Sequence, residues 1–163
     1  MVAAAAVVAI VSSGVTFEAT RHSAAANAVE QQILSSHIRS LMPGHLTDVA
    51  SNDQHNVKPW FNGRVNMSPD VPRLDSLGFP LVGGRIDYVD GRSVPVIVYT
   101  RRQHVINVYA WPTSTTTREP VSASSNGYNL IQVSRNGQES WIVSDLNRKE
   151  LEQFAQLYAG PNR

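Results

Sequence analysis

The chain has 163 residues, enough for one domain with a core that needs no covalent staples. A formal net charge of +1 with scattered basic residues excludes an electrostatic footprint for nucleic acid. The absence of cysteine excludes disulfides, thiolate zinc sites, iron–sulfur clusters and cysteine nucleophiles.

Residues 1–17, MVAAAAVVAIVSSGVTF, carry no charge before Glu18. At 1.5 Å per residue such a segment reaches about 25 Å, the lower limit for crossing a bilayer. It lacks the basic flank of a cleaved signal peptide. The expectation is therefore a transmembrane segment whose upstream part lies before Met1. Residues 18–42 read as an amphipathic connecting helix. Ala24 to Ala26 and Ala28 favour helix, and Val29, Ile33, Leu34, Ile38 and Leu41 form an apolar stripe. Pro43-Gly44 closes it.

Residues 43–160 are read as the domain. His45 to Val49 is a short strand candidate. Ser51-Asn52-Asp53 offers helix caps for one or two turns toward Trp60, with Pro59 setting a limit. Asn62-Gly63 signals a turn, and 66–76 a loop with one turn of helix before Gly78. Strand-like alternation then runs through Arg85 to Val89, with a hairpin at Asp90-Gly91. Val94 to Tyr99 is a continuous apolar strand containing Pro95, and Val105 to Trp111 is the next strand. The Ser/Thr/Pro-rich stretch 112–126 reads as an exposed loop. A second hairpin joins Tyr128–Val133 to Ser140–Val143 through Asn136-Gly137. Ser144-Asp145 is the expected cap of a last helix, whose inner face is Leu151, Phe154, Ala155 and Tyr158. The predicted fold class is α+β: an antiparallel sheet of five or six strands, a long N-terminal helix and a C-terminal helix.

Few constellations carry chemistry. Histidine and carboxylate together suit a divalent metal, and convergence of His45, His55 and His104, with Asp48 and Asp53 nearby, is the metal hypothesis. The spacing matches no strong metal motif. His55 and Asp53 have the makings of a base and its orienter, but no nucleophile elbow accompanies them. Gly83-Gly84 lacks the partners of a phosphate loop and reads as a strand kink or bulge. Lys58, Pro59, Trp60 and Phe61 crowd rigid and aromatic groups beside a turn. Such a segment builds a recognition surface or plugs one end of the sheet.

Several runs together carry a resemblance: HLTDVASNDQHNVKPWFNG at 45–63, GFPLVGGRIDYVDGR at 78–92, RRQHVINV at 101–108 with Trp111-Pro112, GYNL at 127–130 and WIVSDLN at 141–147. From about 37 to 158 the chain resembles the extracytoplasmic half of a group of bacterial transmembrane anti-sigma factors. The resemblance implies a regulator of sigma-factor-dependent transcription and not an enzyme, with no cofactor. It implies a single pass through the inner membrane, with the C-terminal domain in the periplasm. A sigma factor would be a partner only through a cytoplasmic zinc-binding domain that has no counterpart in this sequence, so no sigma-binding residue is carried over. The candidate functional surface is His45, Asp48, Asp53, His55, Lys58, Trp60 and Phe61, with His104. The alternative is a periplasmic module for a small molecule or a metal.

Overall fold

The computed structural model describes residues 26–114 and 117–160. The membrane segment expected at 1–17 and the first part of the connecting helix lie outside these residues. Among the described residues, no helix is long and apolar enough to cross a membrane.

Helix α1 spans residues 26–40. It is followed by β1 (Val49–Ala50), α2 (Gln54–Trp60), a 3-10 turn (Asp75–Leu77) and β2 (Leu81–Val89). Then come β3 (Arg92–Arg101), β4 (His104–Pro112), β5 (Thr117–Ser125), β6 (Tyr128–Arg135), β7 (Gln138–Ser144) and α3 (Arg148–Ala159). The strands form one antiparallel sheet in the order β1-β2-β3-β4-β7-β6-β5. The α+β class stands, but the sheet has seven strands rather than five or six.

The additional strand is β5, from the stretch expected to be a loop. Asn126 (φ 52°) and Gly127 (φ 84°) form the same kind of two-residue turn as Asp90-Gly91 and Asn136-Gly137. That turn pairs Ser125 with Tyr128 and lays β5 along β6. Weak strand composition is tolerated here because β5 is an edge strand with one partner, and its pairing is irregular between Arg118 and Val121, around Pro120.

Both faces of the sheet are covered, which explains the continuous apolar runs of β3 and β4. On one face Val57 of α2, Phe61 at its C-cap, and Leu151, Phe154, Ala155 and Tyr158 of α3 pack on Ile97, Tyr99, Ile106, Val108, Ile131 and Ile142. On the other, Ile33 and Leu34 of α1 pack on Val94, Val96, Tyr109, Trp111, Leu130 and Val143. Pro95 is tolerated inside β3 because pairing with β4 begins only at Val96. The Gly83-Gly84 pair does mark a bulge, between Leu81 and Gly83 of β2.

Two local expectations are corrected. The α1 stripe does not turn inward as a unit: Ile33 and Leu34 are buried, whereas Ile38 and Leu41 are exposed. The inward positions of the last turns are Ser36, His37 and Ser40, so the helix docks by an apolar half and a polar half. The cap of α3 is Asn147, not Ser144-Asp145. Its side chain accepts a 3.1 Å hydrogen bond from the Glu150 amide and donates to the Glu150 carboxylate. Ser144 instead accepts from the Leu146 amide at 3.1 Å and shapes the preceding turn.

Candidate functional site

The segment 45–63 wraps around the β1–β2 edge of the sheet and is positioned by glycine. A Cβ on Gly83 would lie 2.1 Å from the Val49 carbonyl oxygen, so only glycine lets β1 approach β2 this closely. A Cβ on Gly84 would lie 2.6 Å from the Phe61 ring, so the space beneath α2 is filled by that ring. Phe61 is fully buried and belongs to the core. Its expected place on the functional surface is therefore corrected: it is the plug, and its area is worth more in the core than exposed.

Helix α2 begins at Asp53, whose carboxylate accepts from the His55 amide and lies 2.8 Å from the His55 ring Nδ1. The two hydrogen bonds from His55, backbone first and ring second, hold the Asp53 carboxyl below its usual range. His55 itself is exposed. One turn on, the Lys58 ammonium stands 3.8 Å from Asp70. These groups line a cleft of about 500 Å³ formed by Gln54, His55, Lys58 and Pro59 of α2, the segment Asp70 to Pro72, and Tyr158 of α3. The Tyr158 hydroxyl donates to the Asp70 carbonyl at 2.8 Å and fixes the far wall. Burial pushes that phenol's pKa up, so it stays a neutral donor. Trp60 is half-buried on the outer side of α2, edge-on to Phe61 at 5.2 Å, with the Arg64 guanidinium 4.8 Å from its ring centre.

The remaining candidates are elsewhere. His45 is exposed in the turn after α1, its amide bonded to the Met42 carbonyl. Asp48 works for the sheet edge: its carboxylate accepts from the Ile86 amide at 2.9 Å and its own amide donates to Gly84. His104 opens β4, and its Nδ1 lies 3.0 Å from an Asp145 oxygen, close enough to pair as ions but not aligned as a hydrogen bond. The convergence of His45, His55 and His104 on a metal is overturned: among the described residues no three histidines or carboxylates are grouped to hold one. The three sit on separate elements, and the nearest partners of His55 and His104 are single carboxylates. Among the described residues, no serine hydroxyl is bonded to His55.

A second polar constellation, absent from the sequence reading, lies under α1. Ser36 donates to Asp87 and shares a 2.7 Å hydrogen bond with the Tyr109 hydroxyl. The Arg85 guanidinium donates to that hydroxyl at 2.8 Å and to the Leu46 carbonyl, and lies 3.5 Å from Asp87. Asn107 donates to Ser40 at 2.9 Å, and Ser40 donates to the His37 carbonyl. His37, fully buried, touches the Tyr128 ring edge-on at 5.3 Å. The residues of this network come from α1, β2 and β4, which no sequence spacing relates. The legible signal was the position of Ser36, His37 and Ser40, which lie three and four apart like Ile33 and fall on its face.

No family model, curated protein or solved structure matches the chain.

Proposed function

We propose that the domain is the extracytoplasmic sensory and regulatory part of a membrane-anchored anti-sigma factor, tethered to the bacterial inner membrane through residues 1–17 and lying in the periplasm. The observation that carries this reading furthest is how α1 is attached. Helix α1, which in this reading continues from the membrane segment, is joined to the sheet partly through side-chain hydrogen bonds linking Ser36 and Ser40 to Asp87, Tyr109 and Asn107. Each such bond contributes only about 1–3 kcal/mol net, the bond to the Asp87 carboxylate the most, so the attachment has the character of a reversible coupling. The α2 surface, with His55 and Lys58 lining the cleft and half-buried Trp60 at the helix end, is the face offered to a signal. Regulation of transcription would then pass through a cytoplasmic domain that is not part of this sequence.

The test is a sigma-dependent reporter read with His55→Ala, Lys58→Ala and Trp60→Ala in the full-length regulator. At least one variant is expected to change output while thermal unfolding of the domain is unchanged. Unaltered output in all three counts against the reading. A periplasmic small-molecule module is the second reading, favoured by the cleft itself, where Lys58 and Asp70 present opposite charges 3.8 Å apart. Calorimetry with zwitterionic small molecules and with divalent metals distinguishes the two: saturable heat lost in Lys58→Ala, without any effect on the reporter, supports the module.

A further inference from the structure

Helix α1 meets the sheet with a histidine where a hydrocarbon would be expected. His37 has no exposed surface, and neither ring nitrogen has a hydrogen-bond partner among the described residues. The Oδ1 of Asn107, on the facing strand, is buried and unpartnered as well. Buried polar atoms without partners are costly, and a docked helix that carries two of them on one ring is held below its attainable stability. We propose that His37 is an acid-sensitive latch: its neutral ring permits α1 to lie on the sheet, and protonation of that ring releases the helix.

The surroundings of the ring set the sign. From β2, the Arg85 guanidinium repels an imidazolium, and only part of its charge is offset by Asp87 at 3.5 Å. From the β7–α3 turn, Asp145 attracts it, but that carboxylate also faces His104 at 3.0 Å. From β4 and β6 come Asn107 and Tyr109, which bond to Ser40 and Ser36 of α1, and the edge of the Tyr128 ring. On α1 itself the neighbours Ser36 and Ser40 are already engaged with Asp87, Tyr109 and Asn107. Neither ring nitrogen is bonded to an acceptor among the described residues, so the docked geometry offers a second proton no hydrogen bond. Burial, and then Arg85, hold the His37 pKa at about 4 against an ordinary 6.5.

A group whose folded pKa is depressed in this way stabilises the docked form fully above the unfolded value. That contribution is lost as the pH falls from 6.5 toward 4. Linkage between those two values makes opening of α1 about 20-fold more favourable at pH 5 than at pH 7. A released α1 exposes Ile33 and Leu34 on one side and the facing sheet residues on the other. Under the proposed regulatory function, which this inference uses only to give the release a consequence, acidification of the periplasm would free the domain from its tethering helix.

The experiment is amide hydrogen exchange on the full 163-residue chain in neutral detergent micelles, corrected for the intrinsic pH dependence of exchange. The amides of 30–40 are expected to lose about 20-fold of protection between pH 7 and pH 5, with the β3 and β4 amides unchanged over the same range. The ring of His37, followed by NMR in the same wild-type sample, is expected to stay neutral while α1 is docked. His37→Phe removes the titrating group while keeping a flat ring, and its α1 protection is expected to be the same at both pH values. A His37 ring that titrates near 6.5 with α1 still protected overturns the latch, as does a His37→Phe chain with the wild-type pH response. If His37→Phe does not fold, the wild-type ring titration and exchange decide alone. A reporter insensitive to acid, with exchange behaving as stated, would count against the regulatory reading and leave the latch intact.

Discussion

The contact between Gly84 and Phe61 offers a sharp test of how α2 is held. Gly84→Ala adds one methyl group at ordinary strand backbone, so conformational strain plays no part. The new Cβ would lie 2.6 Å and 3.0 Å from two carbons of the Phe61 ring and 3.3 Å from a Val57 methyl. Phe61 is fully buried and wedged against Trp60, and Val57 is fully buried as well, so neither can swing into solvent. Overpacking of this kind costs about 1–3 kcal/mol. For a domain of this size that lowers the midpoint of thermal unfolding by roughly 3–10 °C. Phe61→Leu alone leaves a void and costs about 1–2 kcal/mol on the same large-to-small scale. The double variant Gly84→Ala/Phe61→Leu puts the methyl into that void, so its cost should fall short of the sum by about 1 kcal/mol or more. Urea unfolding of the four proteins, followed by tryptophan fluorescence, measures the cycle. Strict additivity would refute the claim that the ring occupies the space glycine vacates.

Further outcomes are expected from other sites. Tyr109→Phe removes the hydroxyl that serves both Ser36 and Arg85, leaving a buried guanidinium one acceptor short; about 1–3 kcal/mol should be lost in urea unfolding. Asn147→Ala deletes the α3 cap and should cost about 1 kcal/mol in the same measurement. The Asp53 carboxyl is held below its usual 3.8, so its support of α2 is complete above that pH and fails only as the pH falls through the lower folded value. Accordingly the His55 amide should stay protected at pH 5 in the wild-type protein and be unprotected there in Asp53→Ala.

The sequence by itself determined the elements whose information is local. Asp90-Gly91 and Asn136-Gly137 specify tight turns because each first residue tolerates positive φ and glycine prefers it, and both are hairpins in the structure. The inner face of α3 was legible because Leu151, Phe154, Ala155 and Tyr158 repeat at helical spacing, and all four are buried. β5 is not legible as a strand because Ser, Thr and Pro dominate it and an edge strand needs only half a ladder, although Asn126-Gly127 carries the same turn signal as the other two.

What the tertiary structure alone decided is which face of each element meets which partner. Trp60 and Phe61 are adjacent in sequence, yet one borders solvent and the other fills the hollow above Gly84. His55 meets Lys58, Asp70 and Tyr158 around a cleft because α2, the 70–72 segment and α3 share one face of the sheet. His45 and His104 are held elsewhere by the turn after α1 and the start of β4. The stripe on α1 could not be assigned from hydrophobicity, because its last turns bury Ser36, His37 and Ser40 while Ile38 and Leu41 face outward. Periodicity describes one helix, whereas burial depends on what lies opposite, and here that is a polar patch of Arg85, Asp87, Asn107 and Tyr109 drawn from two other strands.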